Sequence, residues 1–227
     1  MRMLAIDTST HACTAALMVD NELYTQFALT PRGHTELILD MCDKVLAEGG
    51  ITQQQLDVIA CGRGPGSFTG VRIAAGLAQG MALALEIPIV AVSSLAAAAQ
   101  HAYSEYGQDH LYVAMDARMQ ETYCCYYVAT DDGYVIAEID ETLCAPDEAP
   151  VPKTEGYMGV GSAWSEYRGL LQARLAPHIS KIEADCYPHA AAIATLGKRE
   201  LNEGRTVPPE KFSPVYLRDK VAEKAQA

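Results

Sequence analysis

Gly62-Arg63-Gly64-Pro65-Gly66-Ser67-Phe68-Thr69-Gly70-Val71-Arg72 comes directly after the mainly apolar run Leu56-Asp57-Val58-Ile59-Ala60-Cys61. Leu56 to Cys61 reads as a buried strand, and the glycine-rich stretch reads as a tight turn and a helix start. Three glycines within five residues allow positive φ or close backbone approach, while Pro65 stiffens the turn. A helix that opens this way can aim unpaired N–H groups at an anion or at a partner. Ser67 stands where the helix needs a cap, and capping is preferred over a nucleophilic role. Gly66-Ser67-Phe68-Thr69-Gly70 also departs from the G-x-S-x-G spacing of a nucleophile elbow.

Working outward, Met3 to Asp7, Cys13 to Val19 and Leu23 to Leu29 read as three short strands joined by polar turns, an antiparallel meander. From His34 to Glu48, Leu37, Ile38, Met41, Val45 and Leu46 recur at helical spacing, and Gly49-Gly50 supplies the stop. Ser67 to Leu85 is a long helix and Ile87 to Val92 a further strand. Three strands, then helix, strand, helix and strand, make an α/β order with right-handed crossovers. That order resembles one half of an actin-like ATPase. Asp7, Thr8 and Ser9 lie in the first hairpin, where that superfamily holds phosphate, and equally suit plain turn chemistry.

The second half begins near Tyr106 to Asp109, after the alanine-rich run Leu95 to Ala102. Leu111 to Met115, Thr122 to Ala129, Tyr134 to Ile139 and Tyr157 to Val160 read as strands, with Asp116-Ala117-Arg118-Met119 as a turn. Ala145 to Thr154, with three prolines, is a loop; Trp164 to Leu175 and His189 to Leu201 are helical by periodicity. The expected architecture is therefore α/β, an actin-like (ribonuclease-H-like) fold of two lobes, each with a mixed sheet and helices. Residues 1–105 form the first lobe, 106–213 a smaller second lobe, and 214–227 a tail that packs on the first lobe and ends in a short helix.

Composition narrows the function. The chain has 227 residues, 49% of them hydrophobic, and a formal net charge of −12, which opposes independent nucleic-acid binding because phosphate rewards basic surfaces. Seven cysteines without C-x-x-C spacing suggest buried apolar residues in a reducing compartment rather than a disulfide framework or zinc knuckle. The N-terminus enters a strand at once, without the apolar stretch of a signal peptide, and the apolar helix from Val71 to Leu85 is too short to span a bilayer, so a cytoplasmic protein is expected.

The loop has no Walker lysine, no H-E-x-x-H string occurs, and His34-Thr35-Glu36 lacks the P-C-x-x-C that a zinc deaminase needs. His34 is read instead as a helix-entry residue. No catalytic or metal-ligating set is assigned. Gly76 and Gly80, four apart and flanked by alanines, leave one helix surface with little bulk, and small residues at that spacing let another helix approach. With the apolar arc of the first helix they suggest a two-helix docking surface made of Leu37, Ile38, Met41, Val71, Ala75, Gly76 and Gly80.

Ala5-Ile6-Asp7-Thr8-Ser9-Thr10, Arg32-Gly33-His34-Thr35-Glu36, Gly62 to Arg72, Asp116-Ala117-Arg118 and Pro214-Val215-Tyr216-Leu217-Arg218 resemble the TsaB (YeaZ) family over essentially the whole chain. The resemblance implies a non-catalytic subunit for making threonylcarbamoyladenosine in tRNA. It implies pairing with the paralogous TsaD, with TsaE joining the pair, TsaC supplying threonylcarbamoyl-adenylate, tRNA met only through the complex, and a homodimer when alone. TsaD carries an H-x-E-x-H metal string whose histidines fall at Ser94 and Ala98 here, and neither residue supplies an imidazole. Three other readings stand beside this one. They are a stand-alone metallopeptidase, a stand-alone ATPase, and a scaffold that binds ATP or ADP through Asp7, Thr8, Ser9, Gly64 and Gly66 without hydrolysing it.

Overall fold

The computed structural model describes residues 1–218. The chain opens with β1 (Arg2–Asp7), β2 (Ala12–Val19) and β3 (Glu22–Leu29), followed by α1 (His34–Glu48), β4 (Val58–Gly62), α2 (Phe68–Leu85), β5 (Ile89–Val92) and α3 (Ser94–Tyr106). The first sheet has the order β3-β2-β1-β4-β5, antiparallel among β1 to β3 and parallel from β1 through β4 to β5. The second half supplies β6 (His110–Arg118), β7 (Glu121–Ala129), β8 (Val135–Ala137), β9 (Thr142–Cys144), β10 (Tyr157–Val160), α4 (Ala163–Glu166), α5 (Arg168–Leu175), β11 (Ile179–Glu183) and α6 (Ala190–Asn202). Its sheet runs β11-β10-β6-β7-β8, with β9 also on β7.

Strand alternation sorts the side chains into layers. Leu4, Ile6, Leu17 and Ile59 face α1 and α2, whereas Met3, Ala5, Met18 and Val58 face inward to α3 and α6. The same inner core takes Leu111, Val113, Cys125 and Met158 from the second sheet, whose other face packs Tyr112, Cys124, Tyr126 and Tyr157 against Trp164, Leu171 and Leu175. Two sheets thus enclose α3 and α6 and carry two helices each on their outer faces. This is the actin-like two-lobed arrangement that the element order suggested.

Several elements differ from their sequence reading. The run Trp164 to Leu175 is two helices, because Tyr167 leaves the helical region at φ −121 and ψ 29. The strand expected over Tyr134 to Ile139 is only Val135–Ala137, and β9 and β11 are additional. The alanine-rich run lies within α3.

The span 106–213 is not one packing unit. Helix α6 returns to the first sheet: a Cβ on Gly197 would lie 2.9 Å from the Ala60 Cβ, and the Ala190 N–H donates to Thr14 Oγ1 at 3.1 Å. Val207 then pairs with Ile89 of β5, and Phe212 enters the core under α2. Apolar surface on the inner face of the first sheet, not sequence order, selects this partner. Beyond Phe212, the Val215 N–H donates to the Arg63 carbonyl at 2.8 Å. The terminal helix expected toward Ala227 lies outside the described residues.

Candidate functional site

The turn between β1 and β2 and the glycine loop between β4 and α2 close on one another. Asp7 is fully buried; its Oδ1 accepts from the Ser9 N–H and the Ser9 hydroxyl at 2.7 Å each, and its Oδ2 accepts from the Ser94 hydroxyl at 2.8 Å. Burial pushes this carboxyl above its ordinary value, against the pull of those three donors and of the nearby His34. Thr8 donates its hydroxyl to the Gly70 carbonyl at 2.7 Å, and Ser67 N–H donates to the Ser9 carbonyl at 2.7 Å.

The glycines are needed for this contact. A Cβ would lie 1.8 Å from Asp7 Oδ2 at Gly62, 2.4 Å from the Ser9 carbonyl oxygen at Gly66, and 2.0 Å from the Thr8 carbonyl oxygen at Gly70. Gly64 takes φ +87, and its carbonyl accepts from the Ser94 N–H at 2.9 Å. Asp7, Thr8, Ser9, Gly64 and Gly66 are therefore brought together, with the Asp7 carboxyl, the Thr8 and Ser9 hydroxyls and the Gly64 carbonyl each engaged by groups of the same chain. Ser67 is the N-cap of α2, its Oγ accepting from the Gly70 N–H at 3.4 Å. His34 opens α1, with Nε2 3.0 Å from the Thr10 carbonyl oxygen.

Beside this knot runs a cleft of about 830 Å³ between the lobes. Its walls include His11, Arg32 and Phe68 on one side and Asp116, Arg118 and Asp185 on the other. Arg118 pairs with Asp116 at 2.9 Å and approaches His11 Nε2 to 3.5 Å across the gap. Residues 213–218 cross the same cleft. Arg218 donates to the Ala117 carbonyl at 3.1 Å and pairs with Glu121, while Tyr216 lies near Phe68 with Arg72 over both rings. Behind the strap, Arg63 and Glu141 form an ion pair at 3.1 Å, and Ser93 donates its hydroxyl to the same carboxylate. Packing of this tail on the first lobe was expected, but its ties to the second were not, because the Arg218 partners Ala117 and Glu121 are about a hundred residues away.

The second feature is the outer face of α2. Val71, Ala74, Ala75, Ala78 and Ala82 are buried on the first sheet, and Ile38 and Met41 of α1 join the same core. Ile38, Met41, Val71 and Ala75 are thus corrected from docking residues to core residues, since they lie on the sheet-facing stripe of each helix. Gly76 and Gly80 are exposed, and a Cβ added at either would meet nothing within 4 Å; Phe68 and Leu83 stand 55% and 49% exposed on the same helix. Ile73, Leu77 and Met81 are partly buried along its flank, and Leu37 is partly buried on α1. The 18 residues of α2 have a mean hydropathy of 1.3 and only 33% of them are buried. By length and composition α2 reaches the lower limit of a membrane span, contrary to the expectation that it is too short. In the fold it is the crossover between β4 and β5.

A family model described as TsaD, tRNA N6-adenosine threonylcarbamoyltransferase, matches residues 28–226. The chain is 37% identical over 225 residues to the tRNA threonylcarbamoyladenosine biosynthesis protein TsaB of Escherichia coli strain K12, covering 98% of this chain and 96% of that one. It is 34% identical over 229 residues to the protein of the same name from Haemophilus influenzae, covering 97% and 95%. Among solved structures, YeaZ from Pseudomonas aeruginosa superposes with a TM-score of 0.89 at 37% identity, covering 95% of this chain and 99% of that one. A second Pseudomonas aeruginosa structure, described as an uncharacterized protein with similarity to peptidase YEAZ, gives the same TM-score and identity over 96% of this chain and 99% of that one.

Proposed function

We infer the function of this chain from its family: it belongs to the TsaB family and takes part in the biosynthesis of threonylcarbamoyladenosine in tRNA. Its part is that of a cytoplasmic, non-catalytic subunit that binds the paralogous transferase TsaD and activates it, with TsaE joining the pair and TsaC supplying the activated threonylcarbamoyl group. tRNA is met only through the complex, in keeping with the net charge of −12.

One observation carries the partner reading. Helix α2 presents Phe68, Gly76, Gly80 and Leu83 to solvent on a helix of mean hydropathy 1.3. An apolar helix face with a glycine saddle lets a second helix approach its backbone and bury side chains on either side. The same face supports a homodimer when the transferase is absent. The knot around Asp7 favours a scaffold role over phosphate chemistry, because its hydroxyls and carboxylate are engaged with one another.

The test is reconstitution of the tRNA modification with TsaC, TsaD and TsaE, with and without this chain, alongside calorimetry of TsaD binding. Gly76→Arg and Gly80→Arg abolish binding and stimulation while leaving the circular dichroism of the chain unchanged. Full binding by both folded variants overturns the assignment of that face. Full modification in reactions lacking the chain overturns the activating role, and ATP or peptide hydrolysis by the purified chain alone overturns the non-catalytic one.

A further inference from the structure

Of the seven cysteines, six are buried and Cys144 alone is partly accessible. It sits in β9, a strand of three residues paired, among the described residues, only with β7, in the register Thr122 opposite Cys144 and Cys124 opposite Thr142. Cys124 and Cys144 are therefore diagonal neighbours on one face of the sheet. The Thr122 hydroxyl lies between them, 3.0 Å from Cys124 Sγ and 3.9 Å from Cys144 Sγ. Cys125, adjacent in sequence, points to the opposite face and donates its thiol to the Ile139 carbonyl at 3.3 Å.

We propose that Cys144 and Cys124 form a peroxide-reactive dithiol, with Cys144 as the accessible thiol and Cys124 as the resolving one. The neighbouring Cys124 thiol and then the Thr122 hydroxyl draw the Cys144 thiol below its ordinary value, against its partial burial, which raises the share of the reactive thiolate. The thiolate attacks one oxygen of hydrogen peroxide; an S–O bond forms, the O–O bond breaks, and hydroxide leaves and takes up a proton as water. Cys144 is then a sulfenic acid and the peroxide has been reduced. Cys124 attacks that sulfur; the S–S bond forms, the S–O bond breaks, and hydroxide leaves with the Cys124 proton as a second water. Two thiols and one peroxide yield one disulfide and two waters.

Diagonal strand neighbours have Cα atoms about 7–8 Å apart, and a disulfide needs them within about 7 Å, so bond formation draws β9 toward β7 by roughly 1 Å. A short strand with one neighbour can make that shift. Glu141 directly precedes β9 and holds both Arg63 and Ser93, so the movement reaches the ion pair that joins the lobes. Buried cysteines in a reducing compartment are ordinary, but an accessible one beside a second thiol has the arrangement of a reversible sensor.

The full chain is treated with hydrogen peroxide and its remaining thiols are alkylated. The tryptic peptide from Met119 to Lys153, which holds Cys124, Cys125 and Cys144, is then cut after Glu138 and Glu141 and weighed. The expected product is a Cys124–Cys144 crosslink, and before oxidation Cys144 is alkylated at least about tenfold faster than the other six cysteines. In Cys124→Ser the reaction stops at the Cys144 sulfenic acid, which dimedone traps; Cys124→Ala gives the same result should serine disturb the core. Cys125→Ser leaves the crosslink in place. A treated parent chain in which Cys144 stays free while added glutathione is consumed overturns the proposal, as does a crosslink from Cys144 to Cys125 or between chains. The crosslink in the parent chain decides the matter even if both Cys124 variants fail to fold.

Discussion

The Ser94 hydroxyl donates to Asp7 Oδ2 at 2.8 Å, and both residues are fully buried. This bond joins the end of β1 to the start of α3, at the position where the resemblance places a metal-binding histidine of the paralogue. Here the side chain turns onto a carboxylate of its own chain.

Removing that carboxylate leaves the Ser9 amide and two hydroxyls without an acceptor in a dry site. Asp7→Ala is expected to cost on the order of 3 kcal/mol in urea unfolding, and Asp7→Asn clearly less, because the Ser94 hydroxyl can rotate to accept from the new amide. Burial holds the Asp7 carboxyl above 3.8, so the native state keeps its proton to higher pH than the unfolded chain does. The stability this acid contributes is lost as pH rises from 3.8 through the raised value. Unfolding midpoints measured across this range fall for the parent, and Asp7→Asn removes that part of the slope.

Two glycines of α2 should answer oppositely. Gly70→Ala drives a Cβ to 2.0 Å from the Thr8 carbonyl oxygen, which is backbone and cannot step aside, and is expected to cost about 3 kcal/mol or more. Gly76→Ala meets nothing within 4 Å inside a helix and is expected to stabilise the isolated chain by about 0.5–1 kcal/mol. Thermal unfolding of the two variants reads both signs at once.

Phe27, His189 and His101 stack in sequence, with ring centroids 5.2 Å and 4.9 Å apart. Desolvation, and then the neighbouring His101, lower His189 from 6.5 to about 4. A base depressed in the native state is protonated first in the unfolded chain, so stability is lost as pH falls from 6.5 toward 4. His189→Asn keeps an acceptor for the Ala191 N–H, which His189 Nδ1 now receives at 3.2 Å, and is expected to flatten unfolding midpoints over that window.

Ser67→Ala removes only the cap on α2. A loss of about 0.5–1 kcal/mol is expected, with reconstituted tRNA modification unchanged at a temperature where the variant stays folded. Loss of modification without loss of stability would restore the hydroxyl to a catalytic role.

Much of the first lobe was legible because its signals are local. The helix from His34 to Glu48 has a clear apolar period and a Gly-Gly stop, and its observed bounds match. Strand β11 was not legible: Ile179–Glu183 carries Ser180 and Lys181 exposed and has no strong alternation, so only pairing with β10 makes it a strand. The break at Tyr167 hides within an unbroken helical period. Helix α6 was visible as a helix, but its choice of sheet depends on which apolar face remains uncovered. At the site, Gly62 to Gly70 stood out at once, yet its meaning lay in atoms of Asp7, Thr8 and Ser9 more than fifty residues earlier. Burial of Ile38, Met41, Val71 and Ala75 likewise depends on which helical stripe meets the sheet, and Gly76 and Gly80 were left facing outward.

The strap of residues 213–218 runs between two clefts, with Arg218 fastened to the β6–β7 turn in one and Val215 bonded to Arg63, the partner of Glu141, in the other. Tied to both, the strap sets the glycine loop against the second sheet like a solid wedge, and the two lobes share one stiff seam.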